Sequence, residues 1–260
     1  MQPGPFQVHA TAIPMPEPSK PSEHVEPFVH DGPDGKALHF SISETQSRMR
    51  PGDPTALALA YTRTMMGFLL FHAQPQQLAM IGLGGGSLAK FCHRHLPRTQ
   101  IVVVEINPHV IALRDQFQVP LDDARLSVRR GDGALFVRDP ANACDVLLAD
   151  AFDSDGLPAR LCSPRFYNDC HALLRPGGLL VANLHFGHPR FEVLVERISR
   201  AFDGRVLLAD DGELSNTIVF ARKGTGFKAR RPTSLDAVAA RALAPTFALL
   251  RSALRKPPSL

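Results

Sequence analysis

Between residues 78 and 221 the chain repeats one pattern: a short, nearly unbroken apolar run followed by an amphipathic stretch of helical period. The apolar runs fall at 78–82, 101–106, 126–129, 146–149 and 179–184, and the amphipathic stretches at 87–96, 108–117, 133–138, 164–174 and 189–202. Continuous apolar strands separated by amphipathic helices predict a parallel sheet covered on both faces, an α/β architecture. Ligands of such sheets bind beyond the carboxyl ends of the strands. Two further runs, 205–209 and 217–221, follow the last helix too closely for a crossover and predict an antiparallel edge. The sheet is therefore expected to be mostly parallel and seven-stranded.

Upstream the pattern changes. Residues 1–35 are rich in Pro, His and Glu with little periodic hydrophobicity, so this segment is expected to be disordered. Residues 36–75 predict a small β region, with Leu38, Phe40 and Ile42 on alternating positions, then a turn at Pro51-Gly52-Asp53-Pro54 and a linking helix through Phe71. Residues 76–224 form the main domain. Residues 225–260 read as a basic tail, a solvated helix and a loose end: from Arg222 onward there are nine Lys and Arg against the single acid Asp236, although the net charge of the whole chain is only +4. The near-even charge of the remainder offers no nucleic-acid track.

No apolar run reaches the roughly 18–20 residues of a membrane span, and residues 1–10 show no secretory signal pattern. The cytoplasm is the expected location. Cys92, Cys144, Cys162 and Cys170 occur without a CxxC pair and read as reduced structural residues. His93 and His95 are two apart in a helix and face different ways, so no metal is expected there. Met65, Met66, Phe68, Leu69 and Phe71 read as core.

The candidate chemistry collects at the strand ends. The first strand runs into Gly82-Leu83-Gly84-Gly85-Gly86-Ser87, where missing side chains let a backbone approach a ligand beside a helix N-terminus. Such a loop serves several nucleosides, or only a tight turn. About twenty residues on, the second strand ends in Glu105, a position suited to accept hydrogen bonds from ribose hydroxyls. The third ends in Gly131-Asp132-Gly133, offering an acceptor to an exocyclic amine and glycines for close approach. The fourth ends in Asp150-Ala151-Phe152-Asp153, with Asp155 just beyond. Clustered carboxylates repel one another unless a cation occupies them. The outer two also fit a loop turn or a helix cap.

In order and spacing these blocks resemble the spermidine synthases, the polyamine aminopropyltransferase family, over residues 82–186. The glycine loop is similar to the family's GGGDGG, Val104-Glu105-Ile106-Asn107-Pro108 to its VEIDP, Gly131-Asp132-Gly133 to its GDG and Asp150-Ala151-Phe152-Asp153 to its DSTD. Phe166-Tyr167 through Arg175-Pro176-Gly177-Gly178 is similar to its FY…LKPGG. The resemblance implies a Rossmann-like AdoMet-binding fold and a homodimer paired through the N-terminal β region. It also implies aminopropyl transfer, without a metal, from decarboxylated S-adenosylmethionine to a small di- or polyamine such as putrescine, giving spermidine and methylthioadenosine. Asp150 would be the general base, and Asp153 and Tyr61 would meet the amine. Gly82, Gly84, Gly86, Glu105, Asp132 and Gly133 would hold the nucleoside.

Three departures stand beside these matches. Gly85 replaces the aspartate that in the family holds the donor's amine, Arg63 falls where the family carries an acid after its tyrosine, and residues 209–216 lack the family's tyrosine but offer Asp210, Asp211 and Glu213. Because the loop, Glu105 and Asp132 serve either donor, an AdoMet-dependent methyltransferase is the second reading. A nucleoside or polyamine sensor and a nicotinamide enzyme stand behind it. The carboxylate cluster favours a cationic acceptor.

Overall fold

A computed structural model describes residues 24–33, 35–40, 45–152, 156–212, 216–230, 232 and 235–255. Strands β1 (Phe28–Gly32), β2 (Gly35–His39) and β3 (Thr45–Met49) form an antiparallel meander. Helix α1 (Ala60–Met65) and a 3₁₀ turn, Met66–Leu70, lead into the main sheet. There β4 (Gln77–Ile81), α2 (Ser87–His95), β5 (Gln100–Glu105), α3 (Pro108–Ala112), β6 (Leu126–Arg130), α4 (Gly133–Phe136) and β7 (Cys144–Ala149) follow in turn. They continue into α5 (Pro164–Leu173), β8 (Leu174–His185), α6 (Phe191–Ala201), β9 (Val206–Asp210), β10 (Asn216–Arg222) and α7 (Ala237–Ala253).

Among the described residues seven strands make the large sheet, in the order β6-β5-β4-β7-β8-β10-β9. The pairs β4–β5, β5–β6, β4–β7 and β7–β8 are parallel, while β10 lies antiparallel to both β8 and β9. The chain thus reverses its winding between β4 and β7, and the ends of β4, β5, β6 and β7 open on one side of the sheet at that switch point. Two apolar layers sandwich the sheet, one centred on Met65, Phe68, Phe91 and Phe220, the other on Phe166, Tyr167, Ile198 and Phe202. Met65, Met66, Phe68 and Leu69 are core, as the pattern predicted.

The sequence boundaries shift in three places. Strand β1 lies inside the segment expected to be disordered. Its own side chains remain largely exposed, so composition could not reveal it; pairing with β2 and the stacking of Phe28 on His39 at 5.2 Å order it. Residues 24–27 of that segment are also placed, with Val25 O accepting from Asn107, while residues 1–23 and Ile42 fall outside the described residues. Helix α3 ends at Ala112 rather than running to 117: Gln118 adopts φ 53°, and Phe117 turns inward to pack under the glycine loop.

The tail is not merely solvated. In α7, Ala239, Leu243, Phe247 and Leu250 form one buried stripe while Arg241 faces out. Burying a leucine contributes about 1.5–3 kcal/mol, enough for two of them to hold the helix despite the internal Pro245. Asp236 caps it, accepting from the Ala239 N–H at 2.8 Å, and His95 of α2 meets the other Asp236 oxygen at 2.6 Å. His93 pairs with Asp123 instead, so the two histidines do diverge. The four cysteines are free and buried. Among the described residues no helix is long and apolar enough to cross a membrane.

Candidate active site

A cavity of about 490 Å³ opens at the ends of β4, β5, β6 and β7, walled on its far side by His24, Gln46 and Ser47 from the small N-terminal region. It brings together Tyr61, Gly82, Gly84, Glu105, Asp132, Gly133 and Asp150. Gly86 stands behind the wall as the N-cap of α2, with φ 69°, and a Cβ there would lie 2.3 Å from Val119. Asp153 falls outside the described residues.

Each wall residue is set by local geometry. At Gly82 the chain leaves β4 with φ +96°, and a Cβ would sit 2.1 Å from the Asp150 carbonyl oxygen, so only glycine fits. Its N–H donates to Val104 O, extending the ladder one residue past the strand. Glu105 then folds back: Oε2 accepts from Leu83 N–H and Oε1 from Asn107 N–H, both at 2.8 Å. Burial pushes its carboxyl above the usual range, and the backbone donors, Asn107 first, pull it back. Asn107 also caps α3 and donates to Val25 O at 2.8 Å, fastening the N-terminal segment over the cavity. Asp132 caps α4, with Oδ1 accepting from Ala134 N–H at 2.7 Å.

Asp150 is held differently. Asn183 Nδ2 donates to its Oδ1 at 2.9 Å, and the Tyr61 hydroxyl, which donates to Gln46 O at 3.3 Å, lies beside the carboxylate. Displacement of water by the surrounding protein pushes the Asp150 carboxyl up to about 6, and the bonds from Asn183 and Tyr61 oppose that rise. The Tyr61 hydroxyl is driven well above its ordinary range by burial first and by Asp150 second. Asn183 Oδ1 is buried without a hydrogen-bond partner among the described residues, and Asp132 Oδ2, buried as well, has only an ionic contact with Arg160 Nη1 at 2.5 Å. Both belong to residues lining the cavity, so the site presents acceptors suited to a donor-bearing guest.

Residues 58–196 match the spermine/spermidine synthase domain. The chain is 36% identical over 205 residues to a polyamine aminopropyltransferase of Chromobacterium violaceum, covering 78% of each chain, and 37% identical over 188 residues to one of Neisseria meningitidis, covering 72% of each. It belongs to the spermine/spermidine synthase family. A probable spermidine synthase from Corynebacterium glutamicum shares the fold, with a TM-score of 0.67 at 21% identity over 85% of this chain and 82% of that one.

Within the spermine/spermidine synthase pattern, the departures now have positions. A Cβ at Gly85 would lie 2.7 Å from Ser47 Oγ and 2.8 Å from Phe117, so the space of the family's aspartate is filled by a serine from β3. Ser47 and Ser87 hydroxyls lie 3.3 Å apart there, both buried. Arg63 does not enter the cavity: its Nη1 donates to the carbonyls of Leu57 and Ala58 at 2.7 and 3.0 Å. Of the 209–216 stretch, Asn216 lines the cavity; Glu213 lies outside the described residues.

Asn183, Ser47 and Arg160 are site residues that the sequence pattern does not single out. Asn183 leaves a trace, since it is the one polar residue within the run 179–184. Ser47 and Arg160 leave none, because their place depends on which distant elements meet.

Proposed function

We propose that this polyamine aminopropyltransferase moves the aminopropyl group of decarboxylated S-adenosylmethionine to a small polyamine such as putrescine, releasing methylthioadenosine. The observation that carries the reading is Asp150: a carboxylate held by Asn183 with Tyr61 beside it, poised near 6, in the same cavity as two strand-end carboxylates suited to a nucleoside. Glu105 would accept from the ribose hydroxyls and Asp132 from the adenine amine. Gly82, Gly84 and Gly133 admit the nucleoside to close contact with the backbone, and Gly86 shapes the turn behind them.

The acceptor arrives as an alkylammonium, whose ordinary pKa near 10 makes it no nucleophile at neutral pH. Asp150 would draw the cation in and take one proton from its nitrogen. The freed lone pair forms a bond to the methylene carbon next to the sulfonium. The carbon–sulfur bond breaks toward sulfur, which becomes the neutral thioether of methylthioadenosine. Asn183 keeps the carboxylate aimed, with Tyr61 beside it, and Asp153 would meet the amine. A cation developing no new charge needs little more than alignment and a proton acceptor. A homodimer through the small N-terminal sheet and a cytoplasmic location belong to the same reading.

Methyl transfer is the weaker reading: an amine N-methylation would use the same base, but the relatives that match most of this chain are named polyamine aminopropyltransferases. The donor is the point most worth testing, because Ser47 and Ser87 offer only neutral hydroxyls where the family places an acid. Incubation with decarboxylated S-adenosylmethionine and putrescine, cadaverine or spermidine should yield methylthioadenosine and an aminopropylated amine in equal amounts. Turnover of intact S-adenosylmethionine alone, with no aminopropylated product from any amine, would overturn the proposal.

A further inference from the structure

The two oxygens of Asp132 are in unlike circumstances. Oδ1 accepts the Ala134 N–H, whereas Oδ2 is buried and has no hydrogen bond among the described residues. What lies over Oδ2 is Arg160, from the 3₁₀ turn Ala159–Cys162, with Nη1 2.5 Å away in an ionic contact. The Arg160 side chain is 68% exposed and that of Asp132 11%, and both residues line the cavity.

We propose that Arg160 is a displaceable cover on the base end of the cavity, a specificity element that rests on the reading of Asp132 as the ligand of the base. The guanidinium holds Oδ2 in the free protein. An incoming base with an exocyclic amine takes Oδ2 in a directed hydrogen bond, and Arg160 swings outward. The exchange is cheap because the guanidinium is already mostly hydrated, and a half-exposed ion pair is worth only a few-fold in an equilibrium. It has a use as well: Glu105, Asp132 and Asp150 share one cavity, and Arg160 adds a removable cation to that acidic lining until the cationic substrates arrive. A guest without an amine donor leaves the cover in place.

Because Arg160 competes with the ligand, removing it must strengthen binding of a neutral nucleoside. The measurement is calorimetric titration of the full chain with methylthioadenosine at low and high sodium chloride, for the natural protein, Arg160→Ala, Arg160→Gln and Asp132→Asn. Both Arg160 variants should bind about two- to fivefold more tightly. The natural protein should gain affinity as salt screens the Arg160–Asp132 contact, while the Arg160 variants stay flat, since the probe carries no charge of its own. If Asp132→Asn weakens binding but the Arg160 variants bind equally or more weakly, the cover is wrong and Arg160 is itself inert or a ligand. If Asp132→Asn changes nothing, the base-ligand reading fails and the cover falls with it.

Discussion

Glu105 and Asp150 end neighbouring parts of one sheet and face one cavity, yet they are anchored by different means. Glu105 is fixed through the backbone, with one oxygen on the Leu83 N–H of the loop after β4 and the other on the Asn107 N–H just past its own strand. Asp150 is fixed through a side chain, Asn183 of β8, with Tyr61 of α1 beside it. Backbone donors cannot rotate away, so Glu105 is a rigid acceptor suited to holding hydroxyls. Asp150 has fewer donors and surroundings that exclude water, which leaves its proton affinity high enough to serve as a base. In the proposed reading one end of the cavity binds and the other reacts.

Substitution at the reacting end should separate the two most sharply. Asp150→Asn keeps the shape and removes the proton acceptor, so kcat should fall by about 10²- to 10⁴-fold while methylthioadenosine affinity measured by calorimetry stays within about twofold. In the natural enzyme, activity should fall as pH drops through about 6, because the protonated carboxyl is no base. The stability effect has the opposite sense. A carboxyl whose pKa is raised on folding costs stability once it ionises, on the order of 2–3 kcal/mol above pH 6 for a rise to about 6. Asp150→Asn should therefore raise Tm at pH 8, and the gain should shrink as pH falls through 6 toward 4. Loss of nucleoside affinity together with activity would mean that the two ends are not separable.

Glu105→Gln tests the binding end. A glutamine can accept only one of the two N–H bonds and turns an amide donor against the other, so a charge-assisted hydrogen bond becomes a donor–donor contact. Methylthioadenosine affinity should fall by about tenfold or more, and kcat at saturating donor should change far less. A drop in kcat with unchanged affinity would reverse the assignment of the two ends.

The same division explains which parts of the molecule are legible in its sequence. Continuous apolar runs, period-3.6 patterns, a glycine turn and an acid at a strand end are local, so the parallel strands and the positions of Gly82, Glu105 and Asp132 at their ends can all be read from the chain. Parts that need a distant partner cannot. Strand β1 buries almost nothing of its own, Ser47 matters because it fills the space beside Gly85, and Arg160 matters because it lies over Asp132. In α7 the apolar stripe is present at helical spacing, but the charge count points instead to a solvated tail. The reacting end is assembled from such long-range meetings, which is why its carboxylate is legible and the support of that carboxylate is not.

Asn183 gives the smallest and most diagnostic of these effects. Its Nδ2 donates to Asp150 Oδ1 and so favours the ionised carboxylate, opposing the rise that burial imposes. Asn183→Leu removes that donor with little change in volume, and the Asp150 carboxyl must then move further above 6. Since the base works only when ionised, the acid limb of the kcat profile should shift upward by roughly one to two units, from the loss of one hydrogen bond to a charged group. At pH 6.5 the variant should be at least several-fold slower than the natural enzyme, and by pH 9 it should approach it. Asn183→Gln, which can still present an amide, should shift the limb less. A merely structural loss would lower kcat equally at every pH, and an unmoved limb would show either that Asn183 does not set the Asp150 proton affinity or that another group titrates.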